Sequence, residues 1–177
     1  ASARHLLGRI AEEFPGWDVA LSATTRAGLE VAQQHFPGSL VFPYPFDLSF
    51  LVRRAFARIR PTLIIIIEHE LWPNFLGHAQ ARGVPVVIVN GRLSERSLRG
   101  YRLLSRFLAW PPPGVVRICV EDETSAAGFR RLGVPANRIW VTGNLKFDVA
   151  LHSRRRPGAM VERRGSEWVI VGASTHK

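Results

Sequence analysis

The sequence predicts an α/β protein in which a parallel β-sheet carries helices on both faces. Short apolar segments rich in β-branched residues alternate with longer helical segments, a cadence typical of parallel strands joined by right-handed crossovers. One apolar segment, Leu63–Ile67, is apolar at every position, which indicates a central strand covered from both sides. A buried helix is the alternative for this segment, but Pro61 and the β-branched side chains favour a strand.

The predicted elements follow one another along the chain in strand–helix order. The predicted strands are Val19–Ala23, Leu40–Phe42, Leu63–Ile67, Val84–Val89, Val115–Val120, Ile139–Thr142 and Trp168–Val171. The predicted helices are Arg4–Phe14, Arg26–Phe36, Leu48–Arg58, Phe75–Arg82, Ser97–Ala109 and Ser125–Leu132. Residues 1–149 are therefore expected to form one domain. Residues 150–165 are rich in Arg, Pro and Gly and are expected to be a linker, and residues 166–177 to open a second, truncated domain.

Composition limits the possible classes of protein. The chain has 177 residues, 46% of them hydrophobic, which is enough for one well-buried domain. Its formal net charge of +10 attracts anionic partners, such as nucleic acid, acidic lipid or a phosphorylated substrate. The single cysteine, Cys119, lies in an apolar segment and is expected to be a buried thiol in a reducing compartment. No segment is long and apolar enough to span a bilayer. The chain starts without Met inside a helical pattern, so we expect a fragment.

Carboxylates follow the most apolar predicted strand. In open parallel sheets ligands bind beyond the carboxyl ends of the strands, so residues at these positions are candidates for a site. Glu68 and Glu70 come directly after Leu63–Ile67 and would point the same way if the chain stayed extended. The alternative is that they cap the helix that begins at Pro73, and this pattern alone does not separate the two.

Two further predicted strands end in polar residues. Asn90 and Arg92 follow Val84–Val89, where they form either an anion clamp or a turn followed by a helix cap. Asn144 and Lys146 follow Ile139–Thr142. Lysine is scarce in this chain, with only Lys146 and Lys177 among 24 basic residues, so an internal lysine suggests that a compact ammonium is needed there.

Five short strings of residues resemble the Kdo transferase family in order and spacing. They are Tyr44–Asp47 (YPFD), Glu68–Asn74 (EHELWPN), Asn90–Ser97 (NGRLSERS), Gly143–Asp148 (GNLKFD) and Gly172–His176 (GASTH). The resemblance extends over essentially the whole chain, and EHELWPN and GNLKFD are its most specific parts.

The resemblance implies a fold and an activity. The family has two Rossmann-like domains that face a cleft, the GT-B fold, and this chain would be mainly the N-terminal, acceptor-binding half. The implied reaction transfers Kdo from CMP-Kdo to an acidic lipid A precursor, at the cytoplasmic face of the bacterial inner membrane, in lipopolysaccharide biosynthesis. The family's proposed base, in a Ser-x-Gly-Glu motif, and its CMP-binding loops would lie outside this chain, so the fragment is expected to be inactive alone. No cofactor and no metal are expected.

The resemblance also implies roles for individual residues. Glu68 and Lys146 match positions regarded in the family as stabilisers of the transition state. A carboxylate near the sugar ring and an ammonium near the departing phosphate, or near the Kdo carboxylate, would both interact most strongly in the transition state. Four further residues are expected to support this pair or to bind the substrate: Glu70, Asn90, Arg92 and Asn144.

One predicted helix is basic and bears on whether the protein binds to a membrane. At about 100° per residue, Arg99, Arg102 and Arg106 fall on one face of the predicted helix, and Leu98 and Tyr101 on the other. The basic face is either simply solvated or docks on an anionic bilayer, and docking is favoured because the implied acceptor is anchored by acyl chains.

Two other classes of function remain as alternatives. One is another nucleotide-sugar enzyme of the same architecture, such as an epimerase or the lipid A disaccharide synthase, against which the EHELWPN and GNLKFD strings argue. The other is a nucleic-acid-binding module, which is suggested by charge alone. The sequence shows no basic residues interleaved with exposed aromatics and no nucleic-acid-binding motif, so nucleic acid is not an expected partner.

Overall fold

The structure is a computed structural model that describes residues 2–68, 72–93, 95–104, 114–145 and 147. Its helices are α1 (Ser2–Glu13), α2 (Arg26–His35), α3 (Ser49–Ile59), α4 (Pro73–Ala81), α5 (Glu95–Leu104) and α6 (Glu123–Arg131). Its strands are β1 (Ala20–Ala23), β2 (Leu40–Pro43), β3 (Ile64–Ile67), β4 (Val86–Gly91), β5 (Val115–Val120) and β6 (Ile139–Val141). The predicted strand Trp168–Val171 and the predicted linker lie outside the described residues.

All strand pairs among the described residues are parallel, so the predicted fold class is confirmed. The strands form two sheets, one of β1 and β2 and one in the order β3-β4-β5-β6. A single sheet was expected, and the difference arises because β1 and β3 are not paired in the part of the chain that the structure describes. Parallel strands aligned in register bring the chain segments after β3, β4, β5 and β6 to one edge of the larger sheet.

The core lies along β4 and β5 and the helices packed against them. Val86 and Ile88 of β4 are fully buried, and Val87 and Val89 are half-buried, as expected for a strand covered on both faces. Gly128 of α6 lies so close to Leu93 that a Cβ atom there would come within 2.9 Å of Leu93 Cδ2. The fully buried side chains with the largest volumes are Phe129, Ile88, Val52, Val86 and Val120.

Side chains cap two of the helices at positions that follow strands. The Thr25 hydroxyl accepts a hydrogen bond from the Gly28 N–H at 3.1 Å and caps α2. The Asp122 carboxylate accepts one from the Ser125 N–H at 2.7 Å and caps α6. Because of this cap, α6 begins two residues before its predicted start at Ser125. Cys119 is half-buried, and burial raises the pKa of its thiol, which makes it less reactive.

Candidate functional site

Two residues with an unusual backbone conformation lie at the carboxyl ends of the neighbouring strands β3 and β4. Glu68 has a φ of 72° and Asn90 a φ of 55°, a left-handed conformation that non-glycine residues adopt rarely. Ile67 pairs with Val89, and the Glu68 N–H donates to the Val89 carbonyl at 2.9 Å, so Glu68 and Asn90 lie side by side. Backbone strain of this kind concentrates at functional sites, which makes this edge the first candidate.

The conformation of Glu68 corrects one expectation. Glu68 and Glu70 were expected to point the same way only if the chain stayed extended. The chain is not extended at Glu68, so this condition is not met. Glu70 itself lies outside the described residues. Glu68 is exposed at the edge of the sheet. The alternative role as a helix cap is taken by another residue, because Asp47 accepts from the first free N–H groups of α4.

A turn at Asn90 and Gly91 was one of the two alternatives for this segment, and it is wrong, because both residues belong to β4. Between Ile88 and Gly91 the pairing with β5 skips one residue, since Ile88 faces Ile118 and Gly91 faces Val120. The extra residue on β4 is a β-bulge, a feature that re-aims side chains next to active sites. Here the bulge places the Asn90 side chain inside the protein, where only 5% of the residue is exposed.

The Asn90 amide connects two of the candidate segments. Its Oδ1 accepts a hydrogen bond from the Leu145 N–H at 3.1 Å, across 55 residues of sequence. The segment after β6 is therefore held against the end of β4, beside Glu68. Lys146 follows Leu145 directly in the sequence but lies outside the described residues. Asn144 is half-buried in this segment and takes part in further interactions.

Asn90→Gly and Asn90→Ala should separate the backbone role of Asn90 from the role of its amide. Both remove the acceptor of the Leu145 N–H, and leaving such a group unsatisfied costs about 1–3 kcal/mol of unfolding free energy. Alanine, unlike glycine, is also strained in the left-handed backbone conformation, which lowers the unfolding free energy by about 1–2 kcal/mol more. Equilibrium urea unfolding measures both. Equal destabilisation by the two substitutions would contradict the strain at Asn90.

Arg92 and Asp122 lie near each other beyond β4 and β5. Both are exposed. Hydrogen bonds from the backbone and hydroxyl of Ser125 hold the pKa of Asp122 below its ordinary value, and the charge of Arg92 lowers it further. The Arg92 guanidinium is therefore close enough to Asp122 for its charge to act on that carboxylate.

Sequence reasoning missed Glu121 at this edge. Its N–H donates to the Gly91 carbonyl at 3.2 Å, which ties the end of β5 to the bulge in β4. Its Oε2 atom is buried and has no hydrogen-bond partner among the described residues. The signal was present in the sequence, because Glu121 follows an apolar strand directly, as Glu68 does.

The described residues after β3, at the end of β4 and after β6 thus lie together, and they belong to the strings EHELWPN, NGRLSERS and GNLKFD. The profile of the family described as 3-deoxy-D-manno-octulosonic-acid transferase (kdotransferase) matches residues 1–149. The chain belongs to this Kdo transferase family.

Individual Kdo transferases are similar to the chain over most of its length. A 3-deoxy-D-manno-octulosonic acid transferase of Bordetella pertussis is 36% identical over 175 residues, covering 92% of this chain and 39% of the relative. The enzyme of that name from Chlamydia pneumoniae is 33% identical over 147 residues, covering 82% of the chain and 34% of the relative. The Haemophilus influenzae enzyme is 32% identical over 180 residues, covering 99% and 42%. The chain therefore spans well under half the length of these Kdo transferases.

The basic helix α5 agrees with the predicted pattern where it is described. Arg99 and Arg102 of α5 are exposed, while Leu98 is buried and Tyr101 half-buried. Burial raises the pKa of the Tyr101 hydroxyl. Arg106 lies outside the described residues.

Two features are absent from the described residues. No described helix combines the length and apolar character needed to cross a membrane. Nor do the described His, Cys, Asp and Glu side chains form any group of three or more that could hold a metal ion.

Proposed function

We propose that the complete protein transfers Kdo from CMP-Kdo to an acidic lipid A precursor. The observation that carries this proposal is the hydrogen bond between Asn90 and Leu145, together with the backbone bond that sets Glu68 beside Asn90. These contacts assemble, at one sheet edge, the segments by which the chain resembles its family. The donor and the acceptor are inferred from the family, and the other enzyme classes of the same architecture receive no support from these motifs.

The proposed chemistry needs a negative and a positive group at this edge. The acceptor hydroxyl loses its proton and attacks the anomeric carbon of Kdo, while the bond from that carbon to the CMP phosphate breaks and CMP leaves. Positive charge develops on the sugar ring, where the Glu68 carboxylate stabilises it. Negative charge grows on the departing phosphate, where Lys146 acts, and the base is not assigned to a residue of this chain.

Four residues support this pair in the proposal. Asn90 holds the segment that precedes Lys146, through its bond to Leu145. Asn144 lies in the same segment, and Arg92 is assigned to the acceptor phosphates. Glu70 is assigned to the acceptor side from the sequence alone.

Mass spectrometry of the lipid product tests the reaction. The complete protein is incubated with lipid A precursor and either CMP-Kdo or a UDP-linked sugar donor. We expect the precursor to gain Kdo only with CMP-Kdo, with release of an equal amount of CMP. Transfer of a sugar from the UDP donor, with none from CMP-Kdo, would favour the lipid A disaccharide synthase alternative instead.

We further propose that α5 docks on the cytoplasmic face of the inner membrane. Replacing Arg99, Arg102 and Arg106 with serine should weaken binding to anionic vesicles by about 1 kcal/mol per residue. The matched control replaces Arg53, Arg54 and Arg58 of α3, which are exposed and carry the same charge. Vesicle sedimentation at low salt measures both, and an equal loss in the two variants would leave only a general charge effect.

A further inference from the structure

The N-terminus of α4 is capped by a residue of a different loop. Asp47, between β2 and α3, accepts a hydrogen bond from the Asn74 N–H through Oδ2 at 3.0 Å. Its Oδ1 accepts another from the Phe75 N–H at 2.8 Å. Trp72, which occupies the capping position in the sequence, makes no side-chain cap. Because Pro73 has no N–H, Asp47 takes the first two N–H groups that the helix offers.

Asn74 and Ser49 complete this connection. The Asn74 side chain donates to the Asp47 carbonyl at 2.7 Å and to its carboxylate at 3.3 Å. The Ser49 hydroxyl donates to Asn74 Oδ1 at 2.9 Å. Beside these bonds the Tyr44 ring packs against Phe75, with ring centroids 5.2 Å apart. The start of α4 is therefore fixed to the loop between β2 and α3 by side-chain and backbone bonds together.

This arrangement bears on Glu68, because only four residues, 69–72, separate Glu68 from the start of α4 at Pro73. At one end, the Glu68 N–H is bonded to Val89 and the residue adopts a left-handed backbone. At the other end, the helix start is held by Asp47. A strained backbone conformation persists only when several interactions of the surrounding structure fix it. Asp47 holds the start of α4, which is the end of the short segment that begins at Glu68.

We propose that Asp47 is a positioning residue for Glu68, an inference that rests on the proposed function. Asp47 does not touch the substrate but sets the path of the chain that carries the Glu68 carboxylate. It thereby connects the YPFD string, which the reaction itself leaves without a role, to the EHELWPN string. Small displacements of a positioned group can reduce turnover about a hundredfold, which sets the upper limit of the effect.

Kinetics of the complete protein test this role against a merely structural one. Asp47→Ala is compared with Thr25→Ala, which removes the cap of α2 and is expected to lower the thermal midpoint by a similar amount. We expect kcat for Kdo transfer to fall about tenfold to a hundredfold in Asp47→Ala. We expect the KM for CMP-Kdo to stay unchanged, and kcat to stay near that of the wild type in Thr25→Ala.

A double-variant comparison identifies Glu68 as the residue through which Asp47 acts. In a Glu68→Gln background, Asp47→Ala should cause little further loss of kcat, because the carboxylate to be positioned is already gone. The same fold-loss in both backgrounds would overturn the inference. If Asp47→Ala does not fold, Ser49→Ala, which removes only the bond to Asn74, should give a smaller loss with the same dependence on Glu68.

The outcomes separate this inference from the proposed function. Absence of Kdo transfer by the wild-type protein would overturn the proposed function and the role of Asp47 with it. Normal wild-type transfer, combined with equal kcat in Asp47→Ala and Thr25→Ala, would overturn only the role of Asp47.

Discussion

Replacing Lys146 with alanine in the complete protein is expected to lower the turnover of Kdo transfer by about two to three orders of magnitude, the range for losing a preorganised charge stabiliser. The reason is that its ammonium would counter charge that grows on the departing phosphate only as the bond breaks. Lys146→Arg should recover part of this loss, because a forked guanidinium keeps the charge but cannot occupy the position of a compact ammonium.

Thermal unfolding provides the control for Lys146. The thermal midpoint should change little in both variants, since a lysine that follows a strand end contributes mainly to the reaction. Turnover is measured with saturating CMP-Kdo, beside the unfolding of the same preparations. Wild-type turnover in Lys146→Ala would falsify the assignment, and a collapse of stability would show that the residue is structural.

Replacing Glu68 with glutamine should also reduce turnover by about two to three orders of magnitude, because it removes the charge near the sugar ring and keeps the size of the side chain. Glu68→Gly should reduce turnover to the same extent. Glycine, however, accepts the φ of 72° without strain, so this variant should be more stable than the wild type. Loss of activity together with a gain in stability is the signature of a strained functional residue.

Kinetic assays and thermal unfolding of the two Glu68 variants check this prediction together. The result that would count against it is a Glu68→Gln variant with unimpaired turnover. A Glu68→Gly variant that is less stable than the wild type would show that the left-handed backbone carries no strain.

The strands were predictable because their signal is local. Leu63–Ile67 is apolar throughout, and the structure has a strand at Ile64–Ile67 in that place. The position of Glu68 and Asn90 at one edge then followed from the parallel order of the strands. The start of α4 was also predictable from the local sequence, because proline favours the first turn of a helix and Pro73 lies there.

The features that were missed depend on residues far apart in the sequence. The bulge at Asn90 exists only in relation to the register of β5, so Asn90–Gly91 looked like a turn when considered alone. The cap of α4 comes from Asp47, 27 residues before Asn74, so helix-capping rules applied within one segment could not find it. The separation of β1 from β3 is likewise a matter of which strands become neighbours, which apolar patterns do not specify.

Hydrogen exchange of the complete protein, with and without lipid A precursor, tests most directly whether the carboxyl edge of β3, β4 and β6 is the site. We expect the acceptor to slow amide exchange in residues 68–72, 90–93 and 144–147 together. Residues 60–63 and 82–85, which precede β3 and β4 at the opposite edge, should exchange at unchanged rates. Protection confined to these opposite-edge segments, with none at the carboxyl edge, would contradict the account.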